Sequence, residues 1–291
     1  MDNNIIYKIH NLDCKYSTGS HAVLKVDYLK IDDGEIVFFI GSSGVGKSTL
    51  LETLGLMNKT IYPGSDSSFL YRPDTESEED YLKIWDNKES YLAEFRKKYL
   101  SFIFQSTNLF DNLSAKDNVL LTPLLQGMSL STAESHILPL FKGIFENEYE
   151  EMLADKKISE MSGGQRQRLA FVRSIASDYK ILFADEPTGN LDYSNAKILM
   201  NFLINDIRKK KSTAIIVSHD IDLSVSFADK IVFIDKKEGK NNEEKSFHYG
   251  TISESSTYVK NNDKNWILKK EDGSEDAFSD DKLKLHLKQK L

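Results

Sequence analysis

A glycine-rich stretch at residues 41–49, GSSGVGKST, constrains the possible folds of this chain more than any other feature. The apolar run before it, residues 36–40, is typical of a buried strand, and residues 50–54 after it have the pattern of a helix. A strand, a glycine-rich turn and a helix in this order form the context of a P-loop. Strands and helices that alternate around such a turn favour a mostly parallel sheet covered on both faces. The predicted fold class is therefore α/β with a P-loop NTPase core.

The residue types in this stretch match the chemistry of nucleotide phosphates. Its glycines let backbone N–H groups converge on phosphate oxygens, and the new helix directs the positive end of its dipole at them. Lys47 is expected to reach the β- and γ-phosphates, and the Ser48 hydroxyl is expected to ligate Mg²⁺. We therefore predict that a nucleotide binds at the following positions: Gly41, Ser42, Ser43, Gly44, Val45, Gly46, Lys47, Ser48 and Thr49.

The composition limits the classes of partner and compartment. The chain has 291 residues and an acidic balance, with 38 Lys and Arg against 45 Asp and Glu, so nothing supports a nucleic-acid partner. A single cysteine, Cys14, excludes an intrachain disulfide and fits a reducing compartment. No apolar run approaches the roughly 20 residues that span a bilayer, and residues 1–8 lack the features of a signal peptide. We predict a soluble, cytoplasmic protein, for which another chain supplies any membrane part.

Local patterns predict the other elements. Residues 5–40 contain short β-like pieces with turns at residues 17–19 and 32–34. The segment at residues 58–95, with five acids at residues 74–80, is interpreted as an irregular, solvated surface insertion. Residues 106–160 are predicted to be mainly helical, with capping patterns that start helices at Ser114 and Ser131. Further strands are predicted at residues 100–104, 181–184, 214–217 and 231–234, and further helices at residues 163–176 and 193–210.

After about Gly239 the composition becomes polar. Short strands are predicted there at residues 247–252, 257–259 and 265–268, followed by a charged helix at residues 281–291. Because this stretch is too polar to form a second large core, we expect it to be dispensable for the chemistry and to serve regulation or partner binding.

Two more motifs carry chemistry. An apolar strand at residues 181–186 ends in Asp185 and Glu186, and such a strand brings its acids to the edge of the sheet where the P-loop also lies. Asp185 would support Mg²⁺, and Glu186 would orient and polarise an attacking water, although an acidic pair after a strand is as often a solvated turn. The sequence MSGGQ at residues 161–165 comes just before a helix, so its hydroxyl and amides can form a second phosphate-binding surface.

This combination resembles the ATP-binding cassette ATPases over about residues 5–235. The positions that match the family, in chain order, are Tyr16, residues 41–49, Gln105, residues 161–165, residues 181–186, residues 188–192 and His219. These correspond to the adenine-stacking aromatic ring, the P-loop, the Q-loop, the signature, the acidic strand, the D-loop and the switch histidine. Tyr16 is the least specific of them, because a tyrosine near a β-turn ordinarily packs.

The resemblance implies a fold and a set of roles. The cassette would occupy residues 1–238, with an antiparallel β subdomain and a helical subdomain at about residues 106–165, and residues 239–291 would be a polar extension. Two cassettes would pair head to tail around two ATP molecules. The residues involved would be Glu186, His219 and Gln105 in catalysis, Ser48, Gln105 and Asp185 at Mg²⁺, and Tyr16, Ser162, Gly163, Gly164, Gln165 and Asp192 at ATP.

Residues 184–192 and 104–109 resemble one branch of the family, which holds the lipoprotein-release, macrolide-exporter and cell-division cassettes. This implies an ATP hydrolase that powers a membrane transporter or mechanotransmission complex. The protein would lie on the inner face of the cytoplasmic membrane through a separate integral membrane subunit, onto which residues 105–160 would dock. Because one chain carries a full set of motifs, we expect a homodimer.

Two classes of alternative are less favoured: a soluble cassette ATPase of DNA repair or translation that acts without a membrane partner, and a regulatory cassette without turnover. A soluble ATPase of DNA repair would insert a long coiled coil, but only 112 residues separate Ser48 from Met161, without sustained heptads. A translation ATPase would carry two cassettes, whereas this chain has one P-loop and one signature. A degenerate regulatory cassette is disfavoured because Glu186 and His219 are both present.

Overall fold

The computed structural model describes residues 5–17, 21–72, 79–189, 191–240 and 246–291. The chain forms two compact units, one of residues 1–93 and 213–291 and the other of residues 94–212. Parts of the turn predicted at residues 17–19 and of the acidic run at residues 74–80 lie outside the described residues.

The first part of the chain is rich in strands. In order, its elements are β1 (Ile5–Cys14), β2 (Leu24–Asp32), β3 (Ile36–Ile40), α1 (Lys47–Leu54), β4 (Ile61–Tyr71), β5 (Glu79–Asp80), α2 (Tyr81–Ile84) and α3 (Glu89–Tyr99). The middle part is mainly helical, as its sequence predicts. Its elements are β6 (Leu100–Ile103), α4 (Ala115–Leu125), α5 (Leu130–Phe145), α6 (Tyr149–Leu153), α7 (Gly163–Ile175), β7 (Ile181–Asp185) and α8 (Tyr193–Lys210).

The last part of the chain returns to the first unit. Its elements are β8 (Thr213–Val217), α9 (Ile221–Phe227), β9 (Lys230–Phe233), β10 (Asp235–Lys240), β11 (Ser246–Ile252), β12 (Thr257–Lys260), β13 (Trp266–Lys269), β14 (Glu275–Phe278) and α10 (Asp280–Lys290). Within the described ranges, no helix is both long enough and apolar enough to cross a membrane.

The first unit contains two sheets. One has the strand order β10-β11-β2-β1-β4-β5, with β1 antiparallel to both β2 and β4. In the other, β3 lies between β9 and β8 and is parallel to both. Every residue of β3 and of β8 is buried, which explains their continuous apolar sequences, since a strand covered on both faces has no polar side. The predicted α/β class with a parallel core and an antiparallel sheet is confirmed.

The interpretation of residues 58–95 as a solvated insertion is wrong. Its described residues form β4, β5, α2 and the first part of α3, and β4 pairs with β1 along its length. Phe69, Tyr71 and Tyr81 form a buried cluster with Tyr7, in which the centroids of contacting rings lie 4.4–5.7 Å apart. Aromatic rings bury a large area and gain further from such contacts, so the segment is part of the core.

The predicted start of α5 is wrong by two residues. The N-cap is Ser129, whose hydroxyl accepts the backbone N–H of Thr132 at 3.3 Å, and Ser131 lies inside the helix. Both serines precede the apolar face at a spacing that fits a cap, so the sequence pattern does not separate them. The other predicted cap, Ser114, is confirmed, because its hydroxyl accepts the N–H of Asp117 at 3.1 Å.

The polar stretch after Gly239 belongs to the first unit and pairs with its strands. Strand β12 pairs with β9, and β13 and β14 continue this sheet. Trp266 is buried, and its indole N–H donates to Asp280 at 2.8 Å. The stretch therefore extends an existing core and does not need one of its own. The predicted boundary at residue 238, between a cassette and a polar extension, stays a prediction.

Cys14 gives a chemical test of this packing. Its thiol is buried at the end of β1, and burial raises its pKa to about 12. Because the thiolate is the reactive form, we expect negligible labelling of the native protein by iodoacetamide at pH 7–9. In urea the rate should rise about tenfold per pH unit below the ordinary thiol pKa of about 8.5. Mass spectrometry of timed samples measures both rates, and fast labelling of the native protein at pH 8 would contradict the buried position.

Candidate active site

The P-loop turn joins β3 to α1. Gly44 and Gly46 adopt φ values of 78° and 87°, a region in which a side chain is strained, so the turn depends on glycine at both positions. The Gly46 carbonyl accepts the N–H of Leu50 at 2.9 Å and begins the helix. A Cβ built on Gly44 would meet no atom within 4 Å, so this face of the loop has room for a phosphate group.

Lys47 lies inside the turn. Its side chain is 7% exposed, and its ammonium donates to the carbonyls of Gly41 at 2.8 Å and Ser42 at 2.9 Å. A positive charge held beside the first helical turn suits an anion, because the N-terminus of a helix favours negative charge. The neighbouring Ser48 is exposed, which leaves its hydroxyl accessible.

His219 lies at the same edge of this sheet as the P-loop. Strand β8 runs parallel to β3 with Val217 opposite Phe39, and the N–H of Ser218 donates to the Phe39 carbonyl at 3.2 Å. The P-loop leaves the carboxyl end of β3, and His219 follows the carboxyl end of β8, as expected for ligand-binding loops of parallel sheets.

Tyr16 is connected to the P-loop helix. Its hydroxyl hydrogen-bonds the hydroxyl of the buried Thr49 at 2.8 Å, while the residue remains 57% exposed. The hydroxyl therefore anchors the ring beside α1 and leaves its surface accessible, which is the arrangement that stacking on a base requires.

In the second unit, Gln105 and Glu186 meet. Strands β6 and β7 are parallel, with Ile103 opposite Ala184, so both residues lie just beyond the carboxyl ends of adjacent strands. The Gln105 amide donates to the Glu186 carboxylate at 3.3 Å. Glu186 itself has a φ of 45°, a left-handed conformation that costs about 1–2 kcal/mol for a residue with a side chain. Such strain is concentrated at functional sites.

A residue that the sequence analysis missed supports this loop. Gln167 is buried on α7, and its amide donates to the Pro187 carbonyl at 2.5 Å, directly after Glu186. The contact joins the signature helix to the acidic loop. A polar side chain at an otherwise apolar position of α7 is the available sequence signal, but its partner depends on tertiary structure.

The signature begins α7 with a capping box. The Ser162 hydroxyl accepts the N–H of Gln165 at 3.2 Å, and the Gln165 side chain accepts the N–H of Ser162 at 2.9 Å. The Gln165 amide also donates to Glu148 at 2.9 Å, which is the main reason that the pKa of this carboxyl is lowered. Cβ atoms built on Gly163 and Gly164 would contact nothing within 4 Å, so the start of the helix is accessible to a ligand.

Asp192 caps α8. Its carboxylate accepts the N–H of Asn195 at 3.0 Å, and this bond is the first cause of the lowered pKa of Asp192. The carboxylate is thus part of the helix start, a role that the sequence analysis did not assign. Asn190, in the middle of the predicted D-loop, lies outside the described residues.

Oxygen ligands for a hard cation are present in each unit. Ser48 offers a hydroxyl, Asp185 a half-buried carboxylate and Gln105 an amide oxygen. These suit Mg²⁺, which is bound with nucleotides through few protein groups together with phosphates and water. In the described part of the chain, no three His, Cys, Asp or Glu side chains are grouped so that they could hold a metal ion.

Comparisons with known proteins agree with these motifs. A profile of the family described as "ABC transporter" matches residues 24–189. The lipoprotein-releasing system ATP-binding protein LolD of Pseudoalteromonas translucida is 35% identical over 239 residues, 80% of this chain and 94% of LolD. The bacitracin export ATP-binding protein BceA of Halalkalibacterium halodurans is 35% identical over 233 residues, 79% of this chain and 85% of BceA.

A solved structure is similar as well. It is the dimeric post-hydrolysis state of the ATP-binding cassette MJ0796 bound to ADP and Pi, and the protein MJ0796 is from Methanocaldococcus jannaschii. The match has a TM-score of 0.65 at 29% identity and covers 78% of this chain and 94% of that one. The profile match spans more than half of the chain and LolD is covered almost completely, so this chain belongs to the ABC transporter family and is an ATP-hydrolysing, ATP-binding cassette.

Proposed function

We propose that this chain is the nucleotide-binding subunit of a membrane transporter or mechanotransmission complex, which it powers by hydrolysing ATP. The observation that carries this proposal is the Lys47 ammonium held inside the P-loop turn. The similarity to proteins named for lipoprotein release and bacitracin export supports a role beside a membrane subunit.

The first unit supplies the groups that hold the nucleotide. Lys47 and the backbone N–H groups of the P-loop bind the β- and γ-phosphates. His219 binds the γ-phosphate, and Tyr16 stacks on adenine. The remaining P-loop side chains shape the turn and start the helix.

The second unit supplies the groups that act on water. Glu186 orients the attacking water and accepts its proton, and its hydrogen bond with Gln105 directs the carboxylate. Gln105 contacts the same water and relays the nucleotide state toward a partner. Mg²⁺, when bound with ATP, neutralises phosphate charge, and the residues that would hold it are Ser48, Asp185 and Gln105.

The active form is a homodimer of two cassettes. Ser162, Gly163, Gly164 and Gln165 of one copy face the ATP held by the P-loop of the other, and Asp192 supports this contact by capping α8. The accessible start of α7 suits such an approach. The protein lies in the cytoplasm, on the inner face of the cytoplasmic membrane, through a separate integral membrane subunit.

The helical segment after Gln105 contains the surface on which that subunit docks. Some of its apolar residues are buried, Leu120, Phe141 and Phe145 among them. Phe110 and Leu125 remain exposed, at 53% and 66%. Phe110, five residues after Gln105, and Leu125, the last residue of α4, thus offer apolar surface to a short amphipathic helix of the membrane subunit.

Charge changes on this surface should break the complex. We expect Asp111→Lys combined with Leu125→Asp to abolish co-purification with a co-expressed membrane subunit, with the ATPase activity of the isolated chain unchanged. Lys116→Glu is a second charge reversal on this surface, but Lys116 is ion-paired with Glu134 at 2.5 Å, so that variant also places two carboxylates together.

Leu285→Asp is the matched control, because Leu285 is similarly exposed, at 61%, on the helix α10 of the other unit. It should leave co-purification intact. Retention of the membrane subunit by the double variant would show that this docking surface is wrong.

A further inference from the structure

Strand β11, which carries none of the family motifs, contacts the P-loop turn. It pairs in parallel with β2, where Gly250 is opposite Leu24 and donates its N–H to the Val23 carbonyl at 2.9 Å. A Cβ built on Gly250 would lie 2.1 Å from the carbonyl oxygen of Val45, in the middle of the P-loop. Real Cβ atoms do not approach an oxygen this closely, so the contact between the two backbones requires glycine.

Two other strands enclose the same turn. A Cβ built on Gly46 would lie 3.0 Å from the Cβ of Leu24 and 3.3 Å from the Val23 carbonyl. A Cβ built on Gly41 would lie 2.9 Å from the carbonyl of Ile234, just after β9. The P-loop therefore rests on the start of β2, the end of β9 and the middle of β11.

The contact at Val45 bears on the orientation of one peptide group. The peptide between Val45 and Gly46 is planar and trans, so its carbonyl and its N–H point in opposite directions. Because the carbonyl lies against Gly250, the N–H of Gly46 is directed away from β11. The N–H groups of a P-loop are the groups that cradle phosphates.

We propose that Gly250 is a positioning residue for nucleotide binding, because it leaves room for the Val45 carbonyl and so directs the Gly46 N–H at a phosphate. This deepens the function of the P-loop and rests on ATP binding there. It also places part of the polar stretch after Gly239 in support of the nucleotide site, which the composition alone does not indicate.

A methyl group at residue 250 should displace the P-loop more than β11. Strand β11 is fixed on both sides, by β2 and by the antiparallel pairing with β10 in which Gly250 is opposite Lys236. It is also anchored by the buried Ile252. The P-loop turn has glycine at residues 44 and 46, so its backbone changes conformation more easily.

The test is Gly250→Ala in the full chain, with ATP affinity measured by calorimetry and with kcat and KM measured at saturating Mg²⁺. We expect the Kd and KM for ATP to rise about ten- to a hundredfold, the range for weakening one hydrogen bond to a charged group. The kcat at saturating ATP should stay within about twofold, since an interaction lost equally from ground and transition states raises KM alone.

Two variants control for merely structural effects. Gly64→Ala introduces a methyl group in β4 of the same sheet, where the nearest atom, the Ser67 hydroxyl, is 3.8 Å away. Phe247→Ala weakens β11 by removing a ring stacked on His21 at 4.1 Å, without adding an atom near Val45. Both should keep the KM of the wild type, whatever their melting temperatures.

If Gly250→Ala fails to fold, Ile234→Ala relieves its second clash, with the Ile234 side chain at 2.6 Å, and the double variant is compared with Ile234→Ala alone. An unchanged Kd and KM in a folded Gly250→Ala variant would overturn the proposal, as would an equal rise in Phe247→Ala. If the wild type itself does not bind ATP, the assigned P-loop function is refuted. Failure of the Gly250 proposal and failure of the P-loop assignment are therefore distinguishable.

Discussion

Replacing Lys47 with alanine is expected to abolish ATP binding and turnover. The change removes the positive charge that would meet the β- and γ-phosphates, where the charge of the nucleotide is greatest. It also removes the hydrogen bonds to the Gly41 and Ser42 carbonyls that hold the turn together. Equilibrium binding of ATP and Mg²⁺-dependent phosphate release, measured on the purified variant, test both consequences.

The matched control is Lys59→Ala in the same unit. Lys59 follows the P-loop helix, and its ion pair with Asp86 at 3.2 Å is largely exposed, so it contributes at most about 1 kcal/mol to stability. This variant should hydrolyse ATP as the wild type does. Unchanged hydrolysis by Lys47→Ala would contradict the assignment of the P-loop, and circular dichroism would establish that each variant is folded.

The elements around the motifs could be predicted from the sequence because their signals are local. Strand β3 has the limits of its apolar run, residues 36–40, and α8 spans residues 193–210, as its amphipathic pattern predicts. Short strands after Gly239 were also predicted. Their attachment to β9 was not, because the partner of a strand depends on distant side chains and not on its own pattern.

Strand β4 shows how a non-local contact escapes a local analysis. Its interior contains Pro63, Gly64 and a run of small polar residues, which are typical of a loop. What makes it a strand is its pairing with β1 and the burial of Phe69 and Tyr71 against Tyr7, a residue more than 60 positions away.

The candidate site shows the same difference between local signals, which the sequence contains, and non-local contacts, which it does not show. Its residue types follow from motifs, whereas the side-chain contacts depend on the fold. The capping box of Ser162 and Gln165 has a local signature, a serine followed three residues later by glutamine before an apolar helix, although the sequence analysis assigned these residues only to phosphate binding. The bond from Gln167 to Pro187 and the contact of Gly250 with Val45 join segments far apart in the chain and could not be predicted.

Glu186→Gln should bind ATP and hydrolyse it about 10²- to 10⁴-fold more slowly, the usual contribution of a general base. Glutamine keeps the size and shape of the side chain. Two hydrogen bonds hold the loop, one from the Gly189 N–H to the Glu186 carbonyl and one from the Gln167 amide to the Pro187 carbonyl. The backbone should therefore stay in place. An amide cannot accept a proton from water as a carboxylate does, so only the chemical step should be lost.

Because that variant keeps ATP intact, it should accumulate as a dimer in which each nucleotide lies between the P-loop of one copy and the Ser162 and Gly164 of the other. Light scattering should give twice the monomer mass with ATP and Mg²⁺, and the monomer mass with ADP. Glu94→Gln, at an exposed ion pair with Lys97, is the control and should hydrolyse normally without a trapped dimer. A Glu186→Gln variant that binds ATP yet stays monomeric at every accessible concentration would count against the head-to-tail dimer, since intact ATP would then fail to join the two copies.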